Sequence, residues 1–208
     1  MAKSATELTE RKKDMKFLEE KILKDGRLLP GGILKVDNFL NHQMDIELFC
    51  RMGQEFARLF AHKEVTKILT VEASGIGVAC IAAQYFGNVP VVFAKKSEAK
   101  NLDSDVYSTT VRSYTKGKDF TVRVSKNYIS PDDKILIIDD FLAVGEASLG
   151  LIDICRQAGA SVSGVGICIE KEFQGGGKRI RDLGIELHSL AVVNFTEGGS
   201  KIEFAGEA

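Results

Sequence analysis

The run Lys134-Ile135-Leu136-Ile137-Ile138-Asp139-Asp140-Phe141-Leu142-Ala143-Val144-Gly145-Glu146-Ala147-Ser148 constrains this chain more than any other stretch. Its four consecutive aliphatic residues read as a strand buried on both faces, the kind found inside a parallel sheet. Two carboxylates close it. A loop of small residues around Gly145 follows. Leu149, Leu151, Ile152, Ile154 and Cys155 then recur at helical spacing. The first amides of a helix lack intrahelical acceptors and carry positive partial charge, so they attract anions. Gly145 lets the main chain approach one closely. A carboxylate pair can accept hydrogen bonds from vicinal hydroxyls. A sugar phosphate offers both kinds of group. The plain alternative, at even weight, is a buried strand whose Asp-Asp pair is solvated and caps a helix.

The strand–loop–helix unit recurs. Lys67-Ile68-Leu69-Thr70-Val71 reads as a buried strand, and Glu72-Ala73-Ser74-Gly75 leads from it into a small-residue helix that ends at Phe86-Gly87. Val89 to Ala94 is a third strand, ending at Lys95-Lys96, where a basic pair could meet a diphosphate or form an ordinary basic loop. Val162 to Glu170 and Glu186 to Val193 are two more. Lys171 follows the first of these, then Gln174-Gly175-Gly176-Gly177, read as flexible, and a short helix from Lys178 to Leu183. Such alternation predicts an α/β fold, a parallel sheet with helices on both faces. Ligands of these sheets sit at the C-terminal strand ends. Glu72, Lys95, Asp139, Asp140 and Lys171 all fall at such ends.

Other segments depart from the alternation. Residues Thr6 to Lys24 read as a charged helix stopped by Asp25-Gly26. Leu29-Pro30-Gly31-Gly32 is a turn, Ile33 to Leu40 an extended segment, and Asp45 the N-cap of a helix reaching about Ala61. Ser97 to Asp105 is polar and is expected to be mobile. Val106 to Tyr114 and Phe120 to Val124 alternate on either side of Lys116-Gly117-Lys118 and read as a β-hairpin. Ile202-Glu203-Phe204 is expected to pair at a sheet edge.

Apolar residues make up 44% of the 208, enough for a core, and the whole is read as one domain, 1–208, with residues 1 to about 45 forming a hood. A net charge of −1 provides no field for nucleic acid. The sequence has no apolar run of about 18 residues for a membrane span and no apolar leader. Cys50, Cys80, Cys155 and Cys168 lie in apolar contexts without a CxxC and read as reduced core residues of a cytoplasmic protein.

Ile135 to Ala147 closely resembles the phosphoribosyl diphosphate (PRPP) signature of type I phosphoribosyltransferases. The resemblance implies that fold, with the hairpin as a flexible loop over PRPP. It gives Asp139 and Asp140 to the ribose hydroxyls and the amides of Ala143, Val144, Gly145, Glu146 and Ala147 to the 5-phosphate. It gives Glu72, Ala73, Ser74, Gly75 and Lys95 to the diphosphate. This copy departs from the pattern. Ala143 stands where hypoxanthine-guanine enzymes carry an Asp proposed as a base, and Ser74 where adenine enzymes carry an Arg. Phe141 and Val144 replace aliphatic and small polar residues. With hydroxyls missing from the loop, phosphate binding is expected to lean on backbone amides and Ser148. Glu146 beside a phosphate is tolerable only if its side chain points to solvent. Ser113-Tyr114 resembles, weakly, a Ser-Tyr pair of purine-enzyme hoods.

Leu34 to Gln43 further resembles the hood of bacterial xanthine phosphoribosyltransferases. Leu34, Asn41 and Lys171 match that family's xanthine-binding positions. An ammonium only donates hydrogen bonds, so Lys171 would favour an oxygen at the purine 6-position over an amino group. Leaving a buried donor unpaired costs about 1–3 kcal/mol. Asn41 fits a 2-oxo group without excluding a 2-amino group. Phe141 is a candidate for stacking on the base. The expected reaction makes XMP and diphosphate from xanthine and PRPP. Magnesium is expected to ride on PRPP, with no metal cage from the protein. A homodimer is implied. The alternatives are a guanine, hypoxanthine or adenine enzyme, and a non-catalytic PRPP-sensing regulator. The regulator family adds an N-terminal winged-helix domain, for which the residues before Leu34 are too few.

Overall fold

The buried run becomes β7 (Lys134–Leu142), the strand on which the sheet is built. The computed structural model describes residues 16–97, 105–113 and 118–205. Residues 6–15 of the charged N-terminal segment, most of the polar stretch after Ser97, and Tyr114 with the hairpin turn lie outside the described residues.

The chain opens with helix α1, described over 16–25, and a hairpin of β1 (Arg27–Leu29) and β2 (Ile33–Lys35). Helix α2 (Ile46–Leu59) is capped as expected, the Asp45 carboxylate accepting from the Leu48 amide at 3.1 Å. Such a cap contributes about 1 kcal/mol. β3 (Lys67–Val71), α3 (Gly75–Ala83) and β4 (Val91–Ser97) follow, then the hairpin β5 (Val106–Ser113) and β6 (Lys118–Ser125). After β7 come α4 (Glu146–Ala158), β8 (Ser161–Lys171), α5 (Gly176–Arg181), β9 (Leu187–Thr196) and β10 (Lys201–Phe204).

The sheet runs β10-β9-β8-β7-β3-β4-β6-β5. Its five central strands are parallel, and β10, β6 and β5 join antiparallel at the edges. From β3 the chain moves outward to β4. From β7 it moves the opposite way to β8 and β9. The crevice between the C-terminal ends of β3 and β7 is therefore the switch point at which such sheets bind ligands. Leu136 and Ile138 face a core shared with α1, α2, α3 and the hood, through Phe39, Phe49, Met52 and Phe56. Ile135 and Ile137 face a second core with α4 and the β5–β6 hairpin.

Three expectations are corrected. Residues 33–40 are not one extended segment. β2 stops at Lys35 and Asp37–Asn41 wind into a π-helical turn, because Phe39 and Leu40 are both buried, which no alternating strand allows. Arg27 Nη2 holds the turn, 2.9 and 3.1 Å from the two Asp37 carboxylate oxygens. Cys80 is exposed rather than a core residue, since α3 is apolar all round and one side of it faces outward. Gly176 and Gly177 are not flexible linker residues but buried positions at the start of α5. The body of the predicted hairpin is also pinned. Gln157 on α4 donates to the Ser108 carbonyl at 2.9 Å, and β6 pairs with β4 inside the sheet.

Candidate active site

The acidic pair lies inside β7, at its sixth and seventh residues, not beyond its end, and both side chains are buried, Asp139 4% and Asp140 7% exposed. Asp139 accepts from the Asp140 amide at 3.0 Å. Burial pushes the Asp139 carboxyl well above the usual carboxylate range. The neighbouring Asp140 charge adds to the push and Lys96 opposes it. Asp139 abuts the start of α3 so closely that a Cβ on Gly75 would meet its Oδ1 at 2.7 Å and Thr70 Oγ1 at 2.2 Å. Glycine is the residue that lets β3, α3 and the acid share this space. The Thr70 hydroxyl is buried and has no hydrogen-bond partner among the described residues. Asp140 faces the hood, where Asn41 Nδ2 donates to its Oδ2 at 3.4 Å.

Residues 143–145 turn the chain from β7 into α4, with Gly145 in the left-handed region (φ 88°). The main chain of α5 crosses this turn at close range. The Gly176 amide donates to the Ala143 carbonyl at 3.1 Å, and a Cβ on Gly176 would lie 2.3 Å from that oxygen. Glu146 opens α4 and pairs with Arg179 at 2.6 Å, so its charge is met by a cation. Ser148 is 1% exposed, which leaves its hydroxyl off the open surface of the turn.

On the next strand, Lys171 ends β8 with its Nζ 5.4 Å from the centre of the Phe141 ring. Burial lowers its pKa. A half-desolvated ammonium beside an aromatic face gains from a ligand oxygen that accepts from it. Leu34 belongs to the hydrophobic core at 6% exposure, its backbone paired in β2 with Leu28.

At the end of β3 the Glu72–Ala73 peptide bond is cis, and Glu72 accepts a short hydrogen bond from the Lys96 amide. Ala73 is exposed, Ser74 half-buried and Gly75 buried. Lys95 is not gathered with them. It lies opposite Arg123 and lines a cavity of about 550 Å3 with Phe93 and Tyr128. Because successive strand side chains alternate, Lys96 takes the face of Asp139, and its charge acts on that carboxyl. β4 runs on past Lys96 to Ser97, which a reading that ended the strand at Ala94 could not resolve. Lys96 entered the sequence reading only as half of a basic pair that could meet a diphosphate, and Arg179 did not enter it. The signal for Lys96 was the period of two; for Arg179 there was none in the linear sequence.

The arrangement thus puts a carboxylate pair, an amide-lined turn at a helix start, and an aromatic–ammonium pair side by side at one switch point. Among the described residues, no group of three or more His, Cys, Asp or Glu could hold a metal ion.

Comparison with known proteins adds the relatives. The chain is 61% identical over 185 residues to a xanthine phosphoribosyltransferase of Ruminiclostridium cellulolyticum, covering 89% of this chain and 97% of that one. It is 58% identical over 179 residues to the enzyme of that name from Bifidobacterium adolescentis (86% and 93%) and 56% identical over 188 to that of Clostridium novyi (90% and 98%). No protein-family model matches. Among solved structures, it resembles the APRTase of Giardia lamblia complexed with 9-deazaadenine, with a TM-score of 0.69, 22% identity and coverage of 84% and 96%. The adenine phosphoribosyl transferase of Trypanosoma brucei gives 0.70 at 16% identity, with coverage of 85% and 79%. At such identities the likeness bears on the fold, which is that of the type I phosphoribosyltransferases.

Proposed function

Since the chain belongs to the xanthine phosphoribosyltransferase family, making XMP and diphosphate from xanthine and PRPP, we propose how its residues divide that work. The bond from the ribose C1 to the diphosphate oxygen breaks ahead of the formation of the bond from N9 of xanthine to C1, and the displaced imidazole N–H proton of xanthine passes to solvent. The electron pair of the broken bond leaves with diphosphate, and positive charge builds on the ribose between the two events. Catalysis of this kind is positioning and electrostatics.

Asp139 and Asp140 take the 2- and 3-hydroxyls and place negative charge near the forming cation. The amides of Ala143, Val144, Gly145, Glu146 and Ala147 hold the 5-phosphate at the start of α4. The turn Glu72-Ala73-Ser74-Gly75 faces the diphosphate, with Lys96 in the role first given to Lys95. Lys171 donates to the 6-oxygen of the base, Phe141 stacks beside it and Asn41 donates to the 2-oxygen. Leu34 shapes the hood from the core side, and Ser148 steadies the first turn of α4. Ala143 offers no side-chain base, so the acidic base enters without one. One domain carries both substrates.

The observation that carries this reading is the adjacency of the two halves. Phe141, under Lys171, follows directly on Asp140, which Asn41 of the hood touches. A base and a ribose are joined in just that sense. The test is initial rates with magnesium and PRPP against xanthine, guanine, hypoxanthine and adenine. Xanthine is expected to give the highest kcat/KM. Turnover of adenine above xanthine would overturn the assignment of Lys171.

Magnesium enters with PRPP. This ion keeps several waters and binds through substrate phosphates, so the sparse carboxylates of the site suit a substrate-borne ion. Carried there, it would neutralise part of the diphosphate charge. A homodimer is proposed, and exposed Phe93 and Tyr128 beside the Lys95 cavity support it. We place the protein in the cytoplasm, in keeping with four unpaired cysteines and the absence, among the described residues, of a helix long and apolar enough to cross a membrane. The net charge of −1 supports no role for nucleic acid.

A further inference from the structure

Arg179 lies outside every residue assigned above. Yet its Nη1 donates at 2.6 Å to the Val144 carbonyl and at 2.6 Å to Glu146 Oε1. One guanidinium thus grips the turn and the helix start together. The helix that carries it is fastened. Arg181, two residues on, pairs with the buried Glu170 at 3.3 Å, and Glu170 also accepts from the Ser189 hydroxyl at 2.6 Å. Gly177 leaves the room this needs, since a Cβ there would lie 1.8 Å from Glu170 Oε1. α5 is thereby anchored to the end of β8 at one point and laid on the 143–146 turn at another.

The charge of Glu146 makes this placement consequential. A carboxylate in the first turn of a helix suits the helix dipole, but it repels a phosphate drawn to the same amides. We propose that Arg179 is a positioning residue for PRPP: it fixes the Val144 main chain and cancels the Glu146 charge beside the 5-phosphate. The proposal rests on the assignment of that phosphate to residues 143–148. An arginine suits the task because the two N–H groups of Nη1 are held in the guanidinium plane and meet the two acceptors at fixed geometry, whereas a lysine is a compact point charge on a flexible stem.

The test uses Arg179→Gln, Glu146→Gln and the double variant. For each, the KM values of PRPP and xanthine are measured, with calorimetric affinities for XMP and for xanthosine, which lacks the phosphate. Arg179 is exposed, so the variants should fold, and thermal unfolding checks this. In Arg179→Gln the KM for PRPP should rise about tenfold, the size expected for losing a charge-assisted hydrogen bond, with the xanthine KM little changed. The ratio of XMP to xanthosine affinity should fall by a similar factor. The double variant should recover most of the loss, because the carboxylate left without its cation is gone. A merely structural Arg179 would show no such recovery. A PRPP KM within about twofold of the wild type, or a double variant as impaired as the single, overturns the proposal. Gly145→Ala separates this from failure of the underlying reading, since a Cβ there strains a left-handed backbone. If Gly145→Ala leaves the affinity ratio intact, the turn does not hold the phosphate, and both ideas fall. If Gly145→Ala lowers the ratio and Arg179→Gln does not, Arg179 alone is dismissed.

Discussion

The Lys171 ammonium stands 5.4 Å from the centre of the Phe141 ring, across neighbouring parallel strands, in a setting whose burial lowers its pKa. Among the described residues no group accepts a hydrogen bond from it, so a cation held there is poised for an acceptor on a ligand. Lys171→Ala should therefore raise the KM for xanthine by about tenfold or more, the cost of losing a buried donor's partner, while the KM for PRPP changes little. Steady-state kinetics with each substrate varied in turn would check it. An unchanged xanthine KM removes Lys171 from the base site.

The same lysine links function to stability. Because burial disfavours its charged form, the folded state gains when the charge is lost. Lys171→Met should match or exceed the wild type in melting temperature at neutral pH and still bind xanthine poorly. Calorimetric unfolding alongside xanthine titration tests the pairing, and a variant both less stable and fully active contradicts it.

Asp140 offers a sharper split. Its charge helps hold the Asp139 carboxyl above the usual range, and a group so raised binds protons more tightly when folded. Stability from Asp139 is then greatest below the unfolded value of 3.8 and is lost as pH rises through the higher folded value. Asp140→Asn should relieve the repulsion and leave the melting temperature at pH 7 unchanged or higher. Turnover should fall about 100-fold, the loss typical when a group facing developing charge is removed. A fully active variant would take Asp140 away from the ribose.

Far from the site, Glu186 binds His188 at 2.7 Å, His62 at 3.0 Å and Lys63 at 3.0 Å. Burial opposes its ionisation, but these partners outweigh it and bring the pKa from 4.5 down to about 2. The carboxylate's contribution is thus fully present above pH 4.5 and disappears as pH falls through about 2. Glu186→Gln should cost about 1–2 kcal/mol at pH 7, allowing for screening of a partly exposed cluster, and nothing near pH 2. Denaturant melts across that range would reveal the convergence. A constant gap between the two proteins would show that the ion cluster does not set it.

Gly75 sits where a Cβ would collide with Thr70 Oγ1 and Asp139 Oδ1. Gly75→Ala should displace the acid pair, lowering kcat more than it raises either KM, and destabilise the fold by about 1–3 kcal/mol. Retention of wild-type kcat would mean that Asp139 is not held in place by this contact.

The sequence made the parallel sheet, the acidic pair and the turn into α4 legible because each rests on local chemistry. Four aliphatic residues, two carboxylates and a glycine before an apolar stripe allow few alternatives. The Asp45 cap was readable for the same reason. The hood was not, because consecutive Phe39 and Leu40 are buried by a turn that Arg27 ties from outside through Asp37. Arg179 was hidden by topology. Three basic residues in a six-residue helix look alike, and nothing linear says that one of them meets Val144 and Glu146. The glycines of 175–177 read as slack for lack of the same information, whereas Gly176 and Gly177 are narrow because other groups need the space.

The most direct test of where the phosphoribosyl group is held is hydrogen–deuterium exchange of the protein with and without PRPP in magnesium buffer. The account predicts slowed exchange in peptides spanning 139–148, with the 72–75 turn following. Protection confined to other segments, with 139–148 exchanging as in the free protein, would contradict it.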